Sequence, residues 1–295
     1  MSGALAAAAS GIGFGLFQSV NARVTRGVDP FASTLLQLAV AAVALVVASL
    51  ATGGLGALAD APAWALLCFV GAAALHFSAG WTFLNMSQQR IGAARTSPLL
   101  TTVPVFGIGI AAVALGQLPD TAQLPAIAVM VLGAWVVASR GRGERPGRFT
   151  DVLPALMTAL CWALSPALTV RGLKGLGDPL AGLAVGLVVS VVGYGVAVVL
   201  WRRELVLGSL EALRAADLAL KVLAGVLVAG STWGRWAALD GTTVAAVLAL
   251  NLLSVPVVLL VAPAIAGRHA ERVTPRVWLG AALIVAGSLL LVGVT

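Results

Sequence analysis

The sequence predicts an all-α, polytopic membrane protein with ten transmembrane helices in two inverted five-helix repeats. Three observations support this fold class: an apolar composition, ten long apolar runs and an internal repeat. Of the 295 residues, 60% are hydrophobic and 10% are charged, and the mean hydropathy is +1.03. Because an ordinary soluble domain carries roughly 25% charged residues, this composition excludes a soluble enzyme, a disordered chain and a secreted disulfide scaffold.

Ten apolar runs have about the ~20 residues that a helix needs to cross a bilayer. Hydrocarbon cannot hydrogen-bond exposed backbone groups, so each run is expected to be a helix. The first run lacks the basic region of a signal peptide and is therefore expected to be a membrane helix. The runs cover residues 2–20, 31–52, 62–86, 92–115, 121–139, 151–170, 178–201, 217–239, 243–266 and 275–294.

An internal repeat relates the first five runs to the last five. The matched positions are Asp29-Pro30 with Asp178-Pro179, Phe14 with Trp162, Trp81 with Trp233, Val103-Pro104-Val105 with Val255-Pro256-Val257, and Gly133 with Gly287. Because five is odd, the two halves would insert in opposite directions, which is the plan of many secondary transporters. The predicted units are a first repeat at 1–139, a basic central loop at 140–150 and a second repeat at 151–295.

The net charge of +7 comes mainly from arginines in short loops. Fifteen basic residues, Lys221 among them, fall towards one side of the predicted bundle, and Arg171 and Lys174 fall towards the other. The positive-inside rule therefore places the central loop 140–148 in the cytoplasm and both termini outside, across the inner (plasma) membrane. Since orientation explains these charges, the expected partner is the lipid bilayer and not nucleic acid.

The sequence contains no catalytic or metal-binding pattern. All eleven acidic residues fall in loops or at the ends of predicted spans, whereas antiporters of protons and cationic drugs usually need a carboxylate within the membrane. Cys68 and Cys161 lie inside apolar runs and are expected to be unpaired core residues. No zinc motif or nucleophile elbow occurs. We therefore expect no enzymatic activity, no cofactor and no metal.

Aromatic and polar side chains within the spans are the candidates for a substrate site. Aromatic faces combined with neutral hydrogen-bonding groups suit a small amphipathic solute such as an amino acid. Ser97 and Thr101 share one helix face, and so do Asn251 and Ser254. The candidates are Phe14, Phe17, Gln18, His76, Trp81, Asn85, Thr101, Trp162, Ser165, Tyr194, Trp233, Arg235, Asn251 and Ser254.

Several of these candidates have a second interpretation. His76 is suited to proton coupling, or it is a neutral histidine hydrogen-bonded between helices. Arg235 is suited to a carboxylate or phosphate ligand, or it extends to the membrane surface. The deep aromatic side chains line a pocket, or they pack between helices.

Prolines and glycines also recur within the spans. Interior proline removes a hydrogen bond and kinks a helix, which predicts either hinges around a central site or static kinks. The pairs Gly11/Gly15 and Gly182/Gly186 are expected to let neighbouring helices approach closely. The predicted hinges are Pro98, Pro104, Pro166, Pro256 and Pro263.

Two stretches, together with the repeat, carry a resemblance to a known family. They are Arg90–Phe106, which continues to Leu115-Gly116-Gln117-Leu118, and its second-half counterpart Thr242–Val257. In these features the chain resembles the ten-helix EamA-type branch of the drug/metabolite transporter superfamily. Family members typically carry glutamate after the Leu-Gly pair, where this chain has Gln117; the second half has Arg268-His269-Ala270-Glu271 instead.

The resemblance implies transport, mostly export, and relatives are often drawn with cytoplasmic termini. The charge distribution predicts the reverse, with both termini outside, and we retain the orientation that the charges predict. The sequence thus predicts a monomeric secondary transporter that exports small metabolites, amino acids first among them, by alternating access around a midplane pocket. One alternative is a lipid-linked substrate flippase with a lateral opening, and the other is a non-transporting membrane scaffold without a midplane cavity.

Overall fold

The computed structural model describes residues 3–115, 121–139, 149–238, 247 and 250–293. Within these ranges the chain forms helices joined by short connections, with no strand. The helices are α1 (Gly3–Thr25), α2 (Pro30–Ala51), α3 (Ala63–Ala73), α4 (Gly80–Ile91), α5 (Ala93–Leu100), α6 (Val103–Leu115), α7 (Leu124–Ala138), α8 (Phe149–Leu176), α9 (Pro179–Trp201), α10 (Arg203–Glu211), α11 (Ala215–Ala238), α12 (Ser254–Ala266) and α13 (Pro275–Gly293).

Seven helical segments of the described chain are long and apolar enough to cross a membrane. One of them, Ala63–Ile91, consists of α3 and α4 joined by a π-helical turn at Ala74–Ala79. The helices α12 and α13 are shorter and also apolar. The all-helical, multi-pass membrane fold is therefore confirmed. The predicted central loop 140–148 and Gln117 lie outside the described residues.

The helices differ from the predicted spans at several points, among them α8, which continues to Leu176, and α10, which forms in the connection after the seventh span. The first and third spans continue to Thr25 and Ile91 because the polar residues there are buried against other helices, which a count of apolar residues cannot detect. The fourth span is two helices, α5 and α6, instead of one. Thr101 and Thr102 turn their hydroxyls back to the carbonyls of Pro98 and Leu99, and Pro104 supplies no backbone N–H to continue the helix.

The repeated Asp-Pro pair has a local explanation. Asp29 accepts hydrogen bonds from the first backbone N–H groups of α2, and Asp178 does the same for α9. Proline follows each aspartate at the first helical position, where the missing N–H costs nothing. These two residues therefore fix where the second helix of each predicted half begins.

Four sets of helices form the main packing contacts. Helix α1 packs on α11 and α12, α8 packs on α3 and α4, α2 packs on α9 and α11, and α7 packs on α13. Gly11 and Gly15 face the backbone around residues 250–257, while Gly182 lies against the Phe69 ring. A Cβ at any of these three glycines would lie 2.4–2.7 Å from a neighbouring atom, so the predicted close approaches are confirmed.

The buried carboxylate of Glu271, in the second half of the chain, bonds to residues of the first half at the end of the bundle where α1 turns into α2. Glu271 lies between α12 and α13, and its oxygens accept the backbone N–H groups of Ala93 (3.0 Å) and Ala94 (2.9 Å), where α5 begins. Arg26 Nη2 forms an ion pair with Glu271 Oε1 at 2.5 Å, and Nη1 donates to the carbonyl of Ala266. We call this arrangement the Glu271 clamp.

The structure corrects the position of Lys221. The charge count placed it with the basic residues at one side of the bundle, but Lys221 lies inside α11 with 1% of its surface exposed. Its ammonium nitrogen contacts Asn21 Oδ1 and Ser33 Oγ, each at 2.5 Å. Because these acceptors are about 190–200 residues away in sequence, span hydropathy alone gives no sign of them.

Candidate functional site

A cavity of about 290 Å³ lies among the helices. It extends along α8 from Trp162 to Leu173 and along α9 from Pro179 to Gly186, and so occupies the half of the bundle that contains the α8–α9 turn. Its polar lining is supplied by His76, Ser97, Thr101, Ser165, Thr169, Arg235, Asn251, Ser254 and Ser288. Within the described chain no aspartate or glutamate lines it.

Eight of the fourteen predicted site residues come together at this cavity, although they are far apart in sequence. Both helix-face pairs are included: Thr101 with its neighbour Ser97, and Asn251 with Ser254. Two of the predicted hinges, Pro104 and Pro166, also line it. The eight residues are Phe14, His76, Thr101, Trp162, Ser165, Arg235, Asn251 and Ser254.

A stacked histidine and tryptophan form one wall of the cavity. His76 lies in the π-helical turn, its ring stacks on Trp162 with centroids 5.1 Å apart, and its Nδ1 is 2.9 Å from Ser165 Oγ. The indole N–H of Trp162 donates to the His76 carbonyl at 3.0 Å. Phe14 contacts the same indole edge-on. These bonds fix the aromatic faces in place before any ligand binds.

The cavity lining also includes a cationic side chain. Arg235 lies in the last turn of α11 and lines the cavity together with its neighbour Trp236. The ring centroids of Trp236 and Phe69 lie 6.4 Å apart. A guanidinium beside aromatic rings and hydroxyl groups, with no carboxylate among the described lining residues, is a suitable setting for an anionic oxygen of a ligand.

Six predicted site residues lie away from the cavity. Tyr194 donates to or accepts from Thr82 Oγ1 at 2.6 Å and stacks on Phe31, while Trp233 is 44% exposed on the outside of α11. Phe17 and Trp81 are core residues, and Gln18 and Asn85 hydrogen-bond within a buried polar network. Among the predicted hinges, Pro98 lies inside α5, Pro256 in the first turn of α12 and Pro263 further along it.

Some lining residues were not among the sequence-based candidates. Phe69, Ala72, Ala73 and His76 follow the spacing of one helix face, so a search outward from His76 at that spacing would have found Phe69. Thr169 lies four residues after Ser165 and is found in the same way. Trp236 carries no such signal, because only the rotation of α11 in the folded bundle distinguishes it from Trp233.

Comparison with known proteins gives a family for the first half and a fold for the whole chain. A crystal structure, one of thirteen matching solved chains, is similar with a TM-score of 0.61 and 18% identity, covering 96% of this chain and 95% of that one. At this identity the likeness shows the fold alone. No protein of curated function matches the sequence. Residues 1–139 match the EamA-like transporter family. Over these residues the chain is similar to the EamA-like transporter family, which indicates a membrane transporter of the drug/metabolite type.

Proposed function

We propose that the protein is a secondary transporter that exports small metabolites bearing a carboxylate, amino acids first among them, across the inner membrane. The cavity is the binding site, and access to it alternates between the two faces of the membrane. The observation that carries the proposal is the combination of Arg235, neutral hydrogen-bonding groups and aromatic faces around one cavity. Arg235 would bind the carboxylate, and the hydroxyl and amide groups would bind the remaining polar atoms.

The proposed architecture is ten helices in two inverted repeats, 1–139 and 151–295, joined by the basic loop 140–150. The packing pattern supports it, because exchanging the two halves maps one contact onto another. Helix α1 packs on α11, and its counterpart α8 packs on α3 and α4. Likewise α2 packs on its own counterpart α9, and α7 on its counterpart α13. In such repeats the ligand binds between the halves.

The charges support an orientation with the central loop in the cytoplasm. Arg23, Arg26 and Arg90 lie at the same end of the bundle as the Glu271 clamp. The cavity lies towards the other end. Alternating access therefore requires the helices at the clamped end to separate in a second conformation. The kinks at Pro104 and Pro166, which line the cavity, are suitable hinges for this movement.

Transport by purified protein in liposomes tests the proposal. We expect uptake of L-[14C]phenylalanine or another labelled amino acid, and competition by the free acid but not by its amide. Arg235→Gln should weaken the interaction with the carboxylate by about 10–100-fold, since a hydrogen bond to a charged group contributes ~1.5–3 kcal/mol. Arg171→Gln, which changes an exposed arginine at the end of α8, is the matched control and should transport normally.

The alternatives give different results in the same vesicles. A flippase would move labelled lipid between leaflets without moving amino acids. A scaffold would move neither. Absence of flux for every amino acid and related carboxylate, from protein that elutes as a single folded species, would contradict the proposal.

A further inference from the structure

A second polar site lies outside the cavity, at Lys221. The side chain extends from α11 and is buried against α1 and α2, where its nitrogen contacts Asn21 Oδ1 and Ser33 Oγ. A charged side chain within a membrane span is energetically costly and generally marks a functional site. The transport cavity does not use this residue, so its burial needs a separate explanation.

The site belongs to a continuous hydrogen-bonded network. Asn21 Nδ2 donates to Asn85 Oδ1 at 2.8 Å and to Gln88 Oε1 at 2.7 Å. Gln88 Nε2 donates to the carbonyl of Gln18, whose side chain donates to Ser97 Oγ at 3.3 Å. Ser97 lines the cavity. The network therefore links Lys221 to the proposed binding site through fully buried polar groups.

The number of acceptors at Lys221 matches a neutral amine. In the described chain two oxygens lie within hydrogen-bond distance of the nitrogen, and an amine has two N–H groups to donate. An ammonium has three, and its third N–H would have no acceptor in this arrangement. Unused acceptors are available nearby in the interior: Gln37 Oε1 and Gln18 Oε1 are buried without a hydrogen-bond partner. Protonation would thus favour a different arrangement of the same helices.

No other charged side chain neutralises Lys221 in the described structure. The charged and titratable residues on the surrounding helices each bond to a group other than Lys221. These groups are backbone atoms, Glu271, Arg214, Thr82 or an aromatic ring. Arg235 lies at the opposite end of α11, and His76 lines the cavity. The engaged residues are Arg23, Arg26, Asp29, Arg90, Tyr194, Arg202 and Asp217.

We propose that Lys221 is the proton-binding site that couples transport to a proton gradient, an inference that rests on the proposed function. In the conformation described here, a hydronium ion that enters from the outside through the cavity transfers its proton to the amine lone pair, which forms one N–H bond and leaves water. The amides of the network relay no proton and transmit only the resulting rearrangement. The third N–H disrupts the closed network, the clamped end opens, and the ammonium returns the proton to water in the cytoplasm. The substrate then binds, and the neutral amine restores the closed arrangement.

A pH gradient across liposomes tests this proposal, with L-[14C]phenylalanine as the probe. With one proton exchanged per cycle, one pH unit should drive about tenfold accumulation of the probe by the wild type. Lys221→Met and Lys221→Gln, which bind no proton, should still exchange the probe between equal pools but should not accumulate it. Lys174→Met, at the chain's only other lysine and on the exposed end of α8, should accumulate it normally.

A conformational measurement keeps the test decisive if transport is weak. Spin labels at Gly27→Cys and Ala270→Cys, with both native cysteines replaced by alanine, report the separation of the clamped end. The wild type should shift towards the longer distance as pH falls, whereas the distribution of distances in Lys221→Met should not change with pH.

The outcomes separate the two proposals. Lack of flux for any probe would refute the transport function. Flux without accumulation by the wild type, or full accumulation by Lys221→Met, would refute proton coupling alone. A pH response that survives Lys221→Met and disappears in His76→Gln would also refute the assignment to Lys221.

Discussion

Replacing Glu271 should destabilise the fold more than replacing any exposed acidic residue. The carboxylate accepts two backbone N–H groups of α5 and forms the ion pair with Arg26, and none of its side chain is exposed. Removing one partner of a buried ion pair costs about 3–5 kcal/mol. Because the Arg26 side chain is 27% exposed and water can solvate it, we expect Glu271→Ala to lower the free energy of unfolding by about 3 kcal/mol.

Unfolding in mixed micelles titrated with SDS, followed by far-UV circular dichroism, measures this change. Glu211→Ala, at an exposed position at the end of α10, is the matched control and should stay within about 0.5 kcal/mol of the wild type. Adding Arg26→Ala to each background completes a double-mutant cycle, and the coupling should be at least about 1 kcal/mol. Equal effects of Glu271→Ala and Glu211→Ala, or additive effects of Arg26→Ala and Glu271→Ala, would refute the clamp as a stabilising contact.

Three further predictions concern stability and use the same titration. Gly92→Ala should destabilise by about 2 kcal/mol or more, because Gly92 has φ of 79° and an added Cβ would lie 2.7 Å from Glu271 Oε2; Gly27→Ala, in open space, should be neutral. Gly280→Val should cost about 1–3 kcal/mol by forcing α13 away from α7, whereas Gly193→Val, on an open surface, should not. Asp178→Ala should cost about 0.5–2 kcal/mol through loss of the α9 cap, and a cost of zero would contradict the capping role.

The sequence predicted those features that depend on local pattern. Asp29 and Asp178 mark helix starts because capping needs only neighbouring backbone groups. Ser97 and Thr101 reach the cavity together because helical geometry fixes their shared face. Such predictions require the helix to form and need no knowledge of which helices are neighbours.

The sequence failed where the answer depends on how helices rotate and pack. The internal repeat pairs Trp233 with Trp81 and so favoured Trp233 over Trp236, but the rotation of α11 turns Trp233 outward and Trp236 into the cavity. Lys221 was assigned to a basic face because a charge near the end of an apolar run usually lies there. Its true environment is formed by Asn21 and Ser33, residues of other helices that only the folded bundle brings together.

The π-helical turn at Ala74–Ala79 allows one continuous helix to meet two different neighbours. Such a turn contains one residue more than an α-helical turn, so it changes the phase of the following helix by roughly 100°. Gly80 then lies against Trp162 on α8, while Asn85 is directed at Asn21 on α1. Deleting a single residue from this turn would misalign α4 with both neighbours at once: it would displace His76 and Phe77 in the cavity wall and break the hydrogen bond between Asn85 and Asn21.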